Sequence, residues 1–75
     1  MIEEHTVFSS NVSKVGYDGE SAQLLVWWSK GNKVSVYEGV PPDVFDRLWK
    51  SPSVGTMIRD EIKPNFLHHY LGDDE

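Results

Sequence analysis

Hydrophobic and polar positions alternate along the middle of this chain and give way to helical spacing in its second half. From Val12 to Tyr17, positions Val12, Lys14 and Gly16 alternate with Ser13, Val15 and Tyr17, which predicts a first strand. Asp18 and Gly19 mark a tight reversal, because glycine accepts a positive φ. The stretch Ala22 to Ser29 is the strongest strand, with Leu24, Val26 and Trp28 on one face and Gln23, Leu25 and Trp27 on the other. Both faces are largely apolar, so the strand is expected to be central. Lys30, Gly31 and Asn32 reverse the chain again, and Lys33 to Glu38 follows as a third strand, placing Val34 and Val36 opposite Ser35 and Tyr37.

Gly39, Val40, Pro41 and Pro42 end the sheet, since proline supplies no amide hydrogen to a ladder. Asp43 to Lys50 predicts a helix of about two turns with Val44, Phe45, Leu48 and Trp49 on one stripe, Asp43 in its first turn and Lys50 in its last. Ser51, Pro52 and Ser53 separate it from a second helix over Val54 to Lys63, whose apolar positions are Val54, Met57, Ile58 and Ile62, and Pro64 stops the run. Asn65 to Gly72 carries Phe66, Leu67, Tyr70 and Leu71, either as an extra helical turn folded onto the core or as a segment docked on a second copy. The expected architecture is α+β: a three-stranded antiparallel meander followed by two short helices on one face.

At 75 residues and 8.6 kDa the chain has room for one small core, which buries only about 60% of the unfolded surface. It has no cysteine to staple that core, so partner binding or self-association is a natural source of extra burial. Nine aromatics and 39% hydrophobic content mark a globular chain. The start, Met1 to His5, is acidic and lacks a basic and then apolar leader pattern, and no apolar run approaches the roughly 20 residues that span a bilayer. A cytoplasmic location without membrane contact is the expectation.

Twelve acids against seven bases give a formal charge of −5, which opposes non-specific attraction to nucleic acid. Five of those acids, Glu3, Glu4, Asp73, Asp74 and Glu75, lie near the ends, so residues 5–72 are balanced. No dense acidic stripe remains that would imitate a nucleic acid.

Taken together, Ser10 and Asn11, Val15 to Asp18, Leu24, Val26 and Trp28 ahead of the Lys30–Gly31 turn, Tyr37 to Pro41, Ser53 and Gly55, and Ile62 and Lys63 resemble the KTSC domain. That family occurs at the carboxy terminus of some lysyl-tRNA synthetases and as stand-alone small proteins of bacteria and phages. The resemblance divides the chain into an amino-terminal tail (1–8), the domain (9–66) and a carboxy-terminal extension with an acidic tail (67–75). RNA binding is the activity suggested for the family. Its central mark is a Tyr-x-Tyr pair, of which this chain keeps Tyr37 and has Ser35 in the first place, while Met57 and Ile58 stand where aromatics often follow the Ser-x-Gly segment.

Three kinds of site can be read from the residues. Trp27 and Tyr37, if they share a face with Ser35 between them, form a platform for bases, with Lys30, Lys33, Arg59 and Lys63 reaching phosphates at its edges. Ser53 and Gly55 at the start of the second helix, with Arg59 or Lys63 nearby, suit a small anionic ligand such as a nucleotide. Ser9, Ser10 and Asn11 form a polar loop. Metal binding is not expected, because His68 and His69 are adjacent and point apart on a helix. Serine, histidine and aspartate are all present, but the histidines sit at the chain ends and no nucleophile elbow occurs. The sequence therefore predicts a non-enzymatic binding module without a cofactor. A protein partner or self-association leads, because three tryptophans and a doubly apolar sheet leave aromatic surface to cover. Single-stranded nucleic acid and a small anion are the alternatives.

Overall fold

The computed structural model describes residues 2–31 and 33–71, so Asn32 and the acidic tail at 72–75 lie outside the described residues. Five strands form one antiparallel sheet in chain order: β1 (Ile2–Thr6), β2 (Val12–Asp18), β3 (Gln23–Trp28), β4 (Val34–Tyr37) and β5 (His68–Leu71). Between β4 and β5 the chain crosses one face of the sheet as α1 (Pro42–Trp49) and α2 (Val54–Met57), and α2 continues into a π-helical segment, Ile58–Ile62. The α+β class and the central meander agree with the sequence, but the sheet has five strands rather than three.

Both extra strands come from stretches expected otherwise, the first as a tail and the last as a helical turn or a segment docked on a second copy. Residues 2–6 pair along the full length of β2, from Ile2 opposite Asp18 to Thr6 opposite Lys14. Glu4 and Lys14 add an ion pair at 2.9 Å. The His5 ring stacks on Trp49 of α1 with centroids 3.8 Å apart. Glu3 and Glu4 therefore belong to the folded body, and residues 2–71 hold nine acids against seven bases. At the other end, His68–Leu71 pairs with β4 from Tyr37 opposite His68 to Val34 opposite Leu71. A β-strand, not a helical turn, closes the described chain.

The second strand departs from simple alternation. A bulge between Val12 and Lys14 places one extra residue there, so that Val12 and Val15 both reach the core and both are fully buried. The hydroxyl of the extra residue, Ser13, donates to the Trp27 carbonyl at 3.2 Å. On the helix side of the sheet, Val12, Val15, Tyr17, Leu24, Val26 and Tyr37 pack with Phe45 and Leu48 of α1, Val54 and Met57 of α2, and Ile58 and Ile62. Burying side chains of this size contributes about 1.5–3 kcal/mol each. Tyr17 stacks on Phe45 at 5.2 Å, and its hydroxyl donates to the Val40 carbonyl at 2.6 Å, tying the sheet to the entry of α1.

The turn after β2 also differs from expectation. Asp18 Oδ1 accepts the Glu20 amide at 3.0 Å, and the residue with positive φ is Ala22 (57°) rather than Gly19. Among the described residues, no helix lies over the opposite sheet face. Trp27 covers that face itself by lying across Gly16, with the Lys14 ammonium 4.5 Å above its ring, and Leu25 and Val36 are buried beside it.

Candidate binding cleft

The helices cover the β1–β3 half of the sheet and leave the helix-side face of β4 and β5 facing α2 and the π-helical segment across a gap. That gap is a cleft of about 560 Å³, within the range of pockets that enclose a small ligand. Its sheet wall is aromatic. The β4–β5 register puts Ser35 opposite Tyr70 and Tyr37 opposite His68, so Tyr37, His68 and Tyr70 stand on one face, with Trp28 beside them. Tyr37 and His68 have ring centroids 5.3 Å apart.

The helical wall contributes Gly55, Thr56, Ile58, Arg59 and Lys63. A π-turn closes i to i+5, as in the bond from the Lys63 amide to the Ile58 carbonyl at 2.8 Å. Residues four apart share a helix face, so Ile58 and Ile62 both sit in the core, while Arg59 and Lys63 both line the cleft. At the end of the cleft, Ser9, Ser10 and Asn11 of the β1–β2 loop meet the start of α2, where the Ser9 hydroxyl lies against Gly55. Lys30 and Lys33 come from the β3–β4 turn.

The electrostatics are one-sided. Of seven basic residues, Lys14, Arg47 and Lys50 are paired elsewhere with Glu4, Glu61 and Asp46. The other four, Lys30, Lys33, Arg59 and Lys63, all line the cleft, and no carboxylate does so among the described residues. Arg59 also meets Asp60 at 3.0 Å, an exposed pair, and such pairs contribute little. The Lys33 ammonium lies 5.6 Å over the Tyr70 ring. Burial pushes the Tyr37 hydroxyl above the usual tyrosine pKa, with Tyr70 adding to the rise and a hydrogen bond with Ser35 opposing it.

Of the candidates read from the sequence, Lys30, Lys33, Tyr37, Ser53, Gly55, Arg59 and Lys63 meet here, together with the polar loop of Ser9, Ser10 and Asn11. Two do not line the cleft. Trp27 lies on the opposite sheet face, because the β3–β4 register pairs Leu24 with Tyr37 and Trp27 with Val34. The platform of Trp27 and Tyr37 is thus replaced by one of Trp28 and Tyr37. Ser35 is 1% exposed and accepts the Trp28 indole N–H at 2.7 Å, which fixes that ring at the wall of the cleft. Trp28 escaped notice because only the pairing register decides which tryptophan shares the face of Tyr37. His68 and Tyr70 also line the cleft, on a segment that the sequence expects as a helical turn or as a stretch docked on a second copy and not as a strand.

His68 and His69, adjacent on a strand, point to opposite faces, with His69 3.7 Å from Glu38. His5 is against Trp49, and no group of three metal-ligating side chains occurs among the described residues. Among the described residues, no helix is long and apolar enough to cross a membrane.

Comparison with known proteins gives a consistent picture. A protein of Tsukamurella paurometabola is 37% identical over 60 residues, covering 80% of this chain and 88% of its own length. An uncharacterized protein of Stutzerimonas stutzeri is 34% identical over 65 residues, covering 87% and 90%. The crystal structure of a KTSC domain protein from Yersinia pestis matches with a TM-score of 0.87 at 25% identity, over 96% of this chain and 100% of that one. The pattern of the KTSC domain matches residues 8–66, and with that match the chain belongs to the KTSC domain family.

Proposed function

We propose that the protein is a non-enzymatic module that binds a short single-stranded segment of nucleic acid in this cleft. One observation carries the reading: four of the seven basic residues converge on a single gap, opposite Tyr37, His68 and Tyr70, with no carboxylate among its described lining residues. Cations that reach phosphates beside aromatic faces that stack bases are the two parts such binding needs. The overall negative charge remains a repulsive background, so affinity has to come from this local arrangement rather than from the whole surface. The same chemistry accommodates a free nucleotide, and RNA is the polymer suggested by the family resemblance.

The test is fluorescence anisotropy with short single-stranded RNA and DNA oligomers across a salt series. Three to four phosphate contacts give a slope of log affinity against log salt of roughly −2 to −3. Absence of binding at low salt overturns the reading.

Self-association is a second reading, favoured by β5. This edge strand is exposed at every position, with Tyr70 and Leu71 each about half-open, and an uncovered edge is a template for another strand. Sedimentation over a concentration series distinguishes a monomer from such an assembly.

A further inference from the structure

Phe8 is the most exposed large hydrophobic side chain among the described residues, at 99%. An aromatic in water is ordinarily found in a loose terminus, but this one stands on an anchored loop. Val7 before it is buried and donates its amide to the Ser13 carbonyl at 3.3 Å. Ser9 after it lines the cleft and accepts the Asn11 amide at 3.4 Å, and Asn11 in turn accepts the Ser29 amide at 2.8 Å. The loop that forms the cleft's end thus holds Phe8 outward from fixed neighbours on both sides.

We propose that Phe8 is a stacking post for a base lying outside the cleft, so that the binding track runs from the cationic gap over the β1–β2 loop. This rests on the reading of the cleft as a nucleic-acid site. A gap of about 560 Å³ has the volume of a small-ligand pocket, and Phe8 is the chain neighbour of Ser9 in the loop at its end. The charge around the gap selects the occupant. A polyanion is drawn to Lys30, Lys33, Arg59 and Lys63, and an exposed ring beside its exit adds a face that any base can stack on.

The experiment compares a uridylate dinucleotide with a uridylate oligomer of about eight nucleotides, a length inside the roughly 4–16-nucleotide sites of small single-strand binders. Phe8→Ala lowers affinity for the longer oligomer about fivefold or more and leaves affinity for the dinucleotide unchanged, while Phe8→Tyr retains both. Because Phe8 packs against nothing, the melting temperature of Phe8→Ala matches that of the parent. Unchanged binding of the longer oligomer by Phe8→Ala overturns the inference and leaves the cleft reading standing. Equal weakening of both ligands also overturns it, by placing Phe8 within the cleft. Failure of the parent protein to bind either ligand overturns both.

Discussion

The indole of Trp27 lies so close over Gly16 that a Cβ at residue 16 would meet the ring at 2.9 Å. The two residues lie on the sheet face that no helix covers, and their contact closes that face over Leu25 and Val36. Gly16→Ala is therefore expected to destabilise the fold by about 1–3 kcal/mol, as overpacking does, although alanine is otherwise preferred to glycine inside a strand. Combining it with Trp27→Leu relieves the clash, so denaturant unfolding of the double variant shows less than additive loss.

Ala22 adopts φ 57° in the β2–β3 turn, and its carbonyl accepts the Val40 amide at 2.9 Å. The left-handed conformation costs an L-residue about 1–2 kcal/mol, part of which glycine recovers. Ala22→Gly is expected to stabilise the protein by roughly 0.5–1 kcal/mol, raising the melting temperature by about 2–8 °C for a domain of this size. A lower melting temperature would contradict the strain assigned to this turn.

If the cleft holds phosphates, charge reversals should sort by position. Arg59→Glu and Lys63→Glu weaken oligonucleotide binding and reduce the salt slope by about one unit each. Lys14→Glu and Lys50→Glu, on residues paired elsewhere, leave the slope unchanged. Anisotropy titrations of the four variants give the comparison, and equal losses in all four would indicate a diffuse field instead of a site.

Tyr17 makes stability depend on alkaline pH. Burial, with Asp18 and Asp43 adding to it, raises its pKa above the ordinary value of 10.0. The folded state thus holds the phenolic proton more tightly than the unfolded state. Its contribution is complete below pH 10 and is lost as pH rises from there through the folded pKa. Tyr17→Phe loses the hydrogen bond to Val40 and leaves that carbonyl without its partner, at a cost of about 1–2 kcal/mol near neutrality, and it flattens the alkaline fall. Urea unfolding between pH 7 and pH 11 separates the two effects. Asp18 acts at the other end. The Glu20 amide lowers its pKa from 3.8, so its contribution is present above that value and fades as pH falls through the folded pKa.

The meander from β2 to β4 and the first helix were legible because each carries its own pattern and its own turn residues. The strands at the two edges were not. Ile2–Thr6 has one large apolar residue and His68–Leu71 is four residues long, and both are strands because β2 and β4 offer them free ladders. The bulge at Ser13 shifts a face by one residue, a displacement that local alternation cannot register. The cations of the site were visible because charged side chains mark surface wherever the chain runs. Pairing, not composition, decides which tryptophan of β3 shares the face of Tyr37, and the register makes it Trp28 and not Trp27.

The cleft's aromatic wall is half made of β5, the last strand in the sheet and one exposed along its whole length. An edge strand of this kind detaches more readily than the strands beneath the helices. The cleft is therefore complete only when β5 is paired with β4, and under the proposed function a ligand that touches His68 and Tyr70 would act as a clasp on it. Occupancy and closure become one equilibrium, so amide exchange of His68–Leu71 slows in proportion to bound ligand while that of β3 stays as it was.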